Sequence, residues 1–184
     1  AIGGVSNFRA ARPVGKLRAM LRNPRQAAFH TQLIQTLGAI GDKGAVPALL
    51  EAATDFKHPH VVEAIKAIGR IGDPSACAPL LAFYNSLPTP PPAQRGQTAE
   101  IEQAKALGWI RYNTLPVLGQ LRCKQAVSML IELLRTTPKG EALVDHAIDA
   151  LGQIGDASAV EPIMDRLRKG PYRTKMERHV NYTT

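Results

Sequence analysis

Residues 151–164 read LGQIGDASAVEPIM, and this stretch decides the fold because the chain repeats it. Residues 37–50 read LGAIGDKGAVPALL, and residues 68–81 read IGRIGDPSACAPLL. Two weaker copies keep the same apolar frame: LGQLRCKQAVSMLI at residues 118–131 and IGGVSNFRAARPVG at residues 2–15. Successive copies start 35, 31, 50 and 33 residues apart, so one interval contains an insertion. Periods of this length predict a stack of repeated units that share one core.

Each copy has the pattern of a helix, a tight turn and a second helix. Apolar residues three apart, such as Ile65 and Ile68, place one face of a helix just before the turn. The second position is Gly in all five copies, where we expect a neighbouring helix to approach closely. Three copies continue with Gly-Asp. There Gly closes the first helix in the left-handed conformation, and Asp caps the turn that follows.

These residues resemble HEAT repeats of the short type named after phycobilisome lyases. The resemblance rests on LGAIGDKGAVPALLEAA, IGRIGDPSACAPLLAFY and LGQIGDASAVEPIMDRL, and it covers nearly all of residues 2–169. It implies an all-α fold, a right-handed α-solenoid of about five two-helix repeats. The pattern is specific to the fold and not to a function, because such repeats serve bilin lyases, scaffolds, regulatory domains and nucleic-acid enzymes.

The repeats predict the organisation of the chain. We expect residues 1–184 to form a single solenoid and to be a piece of a longer protein, because the chain opens inside a repeat. Residues 85–97, NSLPTPPPAQRGQ, contain four prolines that forbid helix, so we predict an insertion loop there. This loop is either a docking segment or a tolerated surface loop. Residues 170–184 form a basic C-terminal tail.

Composition and charge narrow the classes of function. The formal net charge of +8 is concentrated at the two ends of the chain. Basic ends attract nucleic acid or acidic proteins, and plain solvation is the other interpretation. No apolar run reaches the roughly 20 residues of a membrane span. Two cysteines, Cys77 and Cys123, are too few for a disulfide scaffold, so we expect a reducing, cytoplasmic location.

The sequence contains no catalytic constellation. It has no phosphate-binding loop, nucleophile elbow or spaced pair of catalytic carboxylates, so we expect a non-enzymatic protein without a cofactor. His58 and His60 precede a helix, but no further ligands accompany them at metal-binding spacing, and we expect no metal site. Cys123 occupies the position that Asp holds in three other copies, and it lies between Arg122 and Lys124. This indicates either a thiol activated by the neighbouring cations or a turn that lost its cap.

The second helices carry the predicted binding site, because the resemblance to HEAT repeats implies that they line a concave groove. Two positions of each second helix, four residues apart, are predicted to be exposed. Their charge changes along the stack from basic through neutral to acidic. A nucleic-acid groove would instead show a continuous basic stripe with stacking aromatic residues. The graded charge favours a protein partner with its own charge polarity. The candidate binding residues are Arg12, Lys16, Glu51, Tyr84, Glu132, Glu161 and Asp165, with Tyr84 as an aromatic anchor.

The sequence therefore predicts a scaffold that binds a protein partner in this groove. One alternative is a nucleic-acid-binding module that uses the basic ends, with an affinity that falls steeply as salt rises. The other alternative is a bilin-lyase-like chaperone of pigment attachment. The resemblance transfers no catalytic residue to this chain, because only positions of the repeat framework match.

Overall fold

The computed structural model describes residues 15–21, 23, 28–88, 98–138 and 142–168, and these residues form helices and turns without a strand. The α-helices are α1 (residues 15–21), α2 (His30–Ile40), α3 (Val46–Ala53), α4 (Val61–Ile71), α5 (Cys77–Ser86), α6 (Thr98–Gln120), α7 (Val127–Thr136), α8 (Ala142–Ile154) and α9 (Val160–Arg168). The prediction of an all-α fold is confirmed. The predicted insertion loop begins too early, because residues 85–86 still belong to α5. Its residues 89–97 lie outside the described residues, and so does the predicted basic tail, 170–184.

The predicted Gly-Asp turn joins the first and second helices in three units, α2 to α3, α4 to α5 and α8 to α9. Gly41, Gly72 and Gly155 follow α2, α4 and α8 with φ between 68° and 73°, the left-handed conformation. The Asp after each Gly caps the next turn: the Asp73 carboxylate accepts a hydrogen bond from the N–H of Ser75 at 3.1 Å. A three-residue 3-10 turn then leads into the second helix. Both predicted roles, helix closure by Gly and capping by Asp, are confirmed.

The helices form two layers. The first helices α2, α4, α6 and α8 pack in sequence on one another. The second helices α3, α5 and α7 pack against first helices, and α9 packs against α7. One cluster of buried side chains extends from Ile34 to Ala159 and includes residues of both layers. The units from α2 to α7 thus bury their apolar faces against their neighbours, which is the defining property of an α-solenoid.

Close contacts at glycine set the spacing of the first helices. A Cβ on Gly38 would lie 2.9 Å from the Cα of Ala67 on the next first helix. A Cβ on Gly119 would lie 2.8 Å from the Cα of Ala150, and a Cβ on Gly69 would meet the side chains of Val117 and Gln120 on α6. No other residue has room for its side chain at such a distance from backbone. The predicted close approach at the second position of the repeat is confirmed for these three units.

The turn between α6 and α7 keeps its shape without the Gly-Asp pair. Arg122 occupies the Gly position with φ 50°, and the Cys123 side chain makes no capping hydrogen bond. A disulfide instead joins Cys123 to Cys77 at the start of α5, with the two Cα atoms 5.5 Å apart. The spacing of the two cysteines along the sequence did not indicate this bond. Because disulfides are rare in the cytosol, it removes the basis for inferring a cytoplasmic location from the cysteine count.

The glycine contacts predict opposite effects for the same substitution at two sites of α6. Gly119→Ala should destabilise the fold by about 1–3 kcal/mol, because the new methyl group meets the backbone of α8. Gly108→Ala is the matched control, since a Cβ there meets nothing within 4 Å. It should stabilise the helix by up to about 1 kcal/mol, since alanine is the better helix former. Urea unfolding measures both, and equal effects would contradict the packing described.

The disulfide predicts a redox-dependent stability. Reduction should lower the free energy of unfolding by about 2–4 kcal/mol, because the bond constrains the unfolded chain over a separation of 46 residues. The double variant Cys77→Ser/Cys123→Ser should show a similar loss and no further response to dithiothreitol. Urea unfolding with and without reductant measures the difference. Unchanged stability after complete reduction, verified by thiol titration, would contradict this role.

Candidate protein-binding surface

The second helices leave the same two positions exposed in each unit. In α3 the buried positions are 46, 48, 49, 52 and 53, a helical period that places positions 47 and 51 on the opposite face. The exposed pairs, here called the second-helix surface, are Pro47 and Glu51 on α3, Ala78 and Ala82 on α5, Ser128 and Glu132 on α7, and Glu161 and Asp165 on α9. The predicted exposure of these columns is confirmed.

The basic end of this surface is only partly described. Lys16 is an exposed residue of α1, whereas Arg12 lies outside the described residues. Leu17 and Leu21 of α1 pack against the buried cluster, so this helix belongs to the stack. The charge that the structure places at this end is therefore that of Lys16.

Tyr84 belongs to the core. Its side chain is 8% exposed and lies four residues after Leu80, which is fully buried on the same face of α5. This burial raises the pKa of the Tyr84 phenol, against an opposing effect of Arg111. Because Tyr84 has so little accessible surface, its ring offers little area for contact with a ligand.

An open cleft of about 530 Å³ lies between α7 and α9, at the end of the surface that was predicted to be acidic. Its lining residues are Leu134, Arg135, Glu161, Pro162, Asp165, Arg166 and Arg168. Two of the predicted acidic residues line it, but so do three arginines. The charge at this end is thus mixed, because arginines on neighbouring positions of α7 and α9 stand outside the two columns from which acidity was inferred.

The cleft arginines differ in their contacts. The Arg166 guanidinium donates hydrogen bonds to the carbonyl oxygens of Thr137 and Pro138 at 2.8 and 3.0 Å. These hydrogen bonds connect α9 to the two residues that follow α7. Arg135 lies 4.0 Å from the carboxylate of Glu132, and both side chains are more than 60% exposed. An ion pair this open to solvent contributes little stability and leaves both groups accessible to a ligand.

A group of aromatic side chains lies on the first helices. Trp109 is 55% exposed and stacks on Tyr112 with ring centroids 5.4 Å apart. The His146 and Tyr112 rings form an edge-to-face pair with centroids 4.1 Å apart, and the Lys66 ammonium lies 5.7 Å from the centre of the Trp109 ring. This group was not predicted from the sequence. The spacing of three between Trp109 and Tyr112 was visible, but the partners on α4 and α8 depend on how the units stack.

Three histidines lie near the start of α2 and α4. The His60 ring lies 6.1 Å from that of His30 and 5.8 Å from that of His58, centroid to centroid. Among the described residues, no three histidine, cysteine or acidic side chains are arranged to hold a metal ion. The pKa of His58 lies below its usual value, mainly because the ring is partly buried. The charges of His60 and, more weakly, of His30 lower this pKa further, whereas the charge of Asp55 raises it.

This arrangement predicts the direction of a pH effect. Because the folded state lowers the pKa of His58, protonation opposes folding, and the resulting loss of stability appears as the pH falls below the unfolded value of about 6.5. A nuclear magnetic resonance titration of the His58 ring should therefore give a midpoint below 6.5. A midpoint at or above that value would contradict the geometry of the cluster.

Comparison with known proteins identifies the repeat. A family model described as HEAT repeats matches residues 14–93 and 101–177. The residues between the two matches, 94–100, include the start of α6. No curated protein sequence matches the chain. In the described part of the chain, no helix has the length and apolar character needed to cross a membrane.

Proposed function

Because the chain belongs to the HEAT-repeat family, whose stacked units present extended surfaces, we propose that its second-helix surface binds a segment of a protein partner. The observation that supports this proposal is that the same two positions of the repeat are exposed on four successive second helices. A segment that lies along the stack would contact several units at once. The protein would then act as a non-enzymatic scaffold, with binding as its activity.

The side chains on this surface define the partner that fits. Ala78, Ala82 and Ser128 are small, so the middle of the surface has room for the side chains of a ligand. Glu51 and Glu132 flank this middle part and favour basic residues on the partner. The cleft between α7 and α9 presents both signs of charge and suits a segment that carries both. An acidic group fits beside Lys16, at the other end.

Nucleic acid fits this surface poorly. Four carboxylates, those of Glu51, Glu132, Glu161 and Asp165, stand at exposed positions along it and repel a phosphate backbone. Lys16 is the basic residue of the two columns in the described part of the chain. The predicted preference for a protein over a nucleic acid therefore has an electrostatic reason.

The location of the binding surface can be tested by photo-crosslinking. A photoreactive amino acid replaces Ala82 on α5, and the same amino acid replaces Ala106 on α6 as the control. Both alanines are exposed, but Ala106 lies on a first helix. After irradiation in cell extract, the proposal predicts a partner adduct from the Ala82 variant alone. An adduct obtained only from the Ala106 variant would contradict the proposal.

Charge-reversal variants test whether the second-helix surface controls the rate at which the captured partner associates. Glu132→Lys/Glu161→Lys should slow association about tenfold at low salt, with a smaller effect at high salt, because exposed charges mainly steer encounter. Asp145→Lys/Asp149→Lys makes the same change of net charge on exposed positions of α8. Association rates from surface plasmon resonance should separate the two variants. Equal slowing by both would show that net charge, and not the second-helix surface, governs binding.

A further inference from the structure

Cys123 stands where three other units have a capping aspartate. In those units the carboxylate accepts a hydrogen bond from the N–H two residues later, at 2.8, 3.1 and 2.9 Å for Asp42, Asp73 and Asp156. The turn after α6 keeps the backbone bond of these turns, because the N–H of Ala126 donates to the Cys123 carbonyl at 3.0 Å. The matching bonds in the other three turns measure 2.9, 3.1 and 3.1 Å. The backbone of a capped turn is therefore present at Cys123.

The Cys123 sulfur, however, is bonded elsewhere. It forms the disulfide with Cys77, the first residue of α5, and makes no capping hydrogen bond. The φ and ψ of Cys123, −71° and 86°, are close to those of Asp73, −83° and 116°. Once the disulfide is cleaved, rotation about the Cα–Cβ bond brings this sulfur towards the N–H of Gln125, two residues later. Only the bond to Cys77 separates this turn from the capped form.

We propose that Cys77 and Cys123 form a reversible redox switch, in which the reduced Cys123 sulfur caps the turn before α7 as a thiolate. A thiolate carries a negative charge, as the carboxylate of a capping aspartate does. The charges of Arg122 and Lys124, the two chain neighbours of Cys123, favour the thiolate over the thiol. The switch is a property of this turn and does not depend on the proposed function.

The last unit shows that the capping position favours an anion. The pKa of Asp156 lies below its usual value, first because the Ser158 hydroxyl donates a hydrogen bond to the carboxylate. The N–H of Ser158 lowers this pKa further. Gln125 corresponds to Ser158 and has no hydroxyl, so the N–H is the contribution that carries over to Cys123.

The reduced Cys77 sulfur has a different environment. It lies 3.5 Å from Oε1 of Gln125, so a thiol at Cys77 donates a weak hydrogen bond to that oxygen. Cys77 is 8% exposed. Burial and donation by the neutral form both favour the protonated thiol. The reduced pair thus consists of a thiol at Cys77 and a thiolate at Cys123, with Gln125 contacting both.

A dithiol is the reductant that this switch requires. One sulfur of the dithiol, as a thiolate, attacks Cys77, which is 8% exposed against 2% for Cys123. The disulfide breaks and Cys123 leaves as the stabilised thiolate. The second sulfur of the dithiol then displaces Cys77, which takes up a proton. The dithiol becomes a disulfide, the protein gains two electrons and one proton, and the other proton of the dithiol goes to water.

The switch changes how two units are joined. In the oxidised form a covalent bond links the start of α5 to the turn before α7. In the reduced form this link is absent and the turn is closed by its own cap, as the other turns are. The exceptional turn therefore has two stable forms where the others have one.

A nuclear magnetic resonance titration of the reduced, unmodified chain tests the proposal. With cysteine labelled at Cβ, each sulfur gives its own titration curve. Cys123 should have a midpoint of about 7.5 or lower, and Cys77 a midpoint at or above about 8.5, the value of an unperturbed cysteine. A Cys123 midpoint at or above that of Cys77 would overturn the proposal and leave the disulfide a purely structural bond.

Two variants of Gln125 separate the cap from the neighbouring charges. Gln125→Pro removes the capping N–H and should raise the Cys123 midpoint by about one pH unit. Gln125→Ala is the matched control, since it removes the same side chain but keeps the N–H, and it should leave the midpoint unchanged. At a fixed ratio of reduced to oxidised dithiothreitol, a smaller fraction of the proline variant should be reduced, because its thiolate is less stable. Equal midpoints and equal reduced fractions for the two variants would also overturn the proposal.

Discussion

The contact between each first helix and a glycine on the preceding one sets the geometry of the stack. At Gly38 and Gly119 a methyl group would collide with backbone of the next unit, so the helices lie as close as the chain permits. This spacing repeats from α2 to α8 and keeps the second helices in a second layer. Because the units repeat at this spacing, the same positions of successive second helices are exposed, and any binding surface that they form depends on it.

The junction of the third and fourth units departs from this regularity. The interval between repeat starts is longest there, and the turn after α6 lacks both Gly and Asp. A left-handed Arg122 and an uncapped 3-10 turn each cost stability. The Cys77–Cys123 bond joins the two units at this point, where the usual turn chemistry is missing. A covalent bond thus replaces the local interactions on which the other turns depend.

The sequence predicted what lies within one repeat and the close approach of neighbouring helices at its glycine, but it missed the other contacts between repeats. Periodicity within a unit identified the turn glycines, the capping aspartates and the exposed positions of the second helices. The disulfide, the arginines of the α7–α9 cleft and the stack of Trp109 on Tyr112 beside Lys66 and His146 were not predicted. Each of these involves neighbouring units or helices, whose relative placement follows from packing and not from spacing along the chain. Tyr84 shows a further limit, since its aromatic ring suggested a binding role that its burial removes.

Nuclear Overhauser contacts in the unmodified protein can show whether the first helices touch at glycine. With methyl-labelled alanine, we expect strong contacts from the Gly38 α-protons to the Ala67 methyl group and from the Gly119 α-protons to the Ala150 methyl group. Such contacts require the helices to be as close as the structure places them. If both contacts were absent while the helices were intact, the units would not stack through glycine.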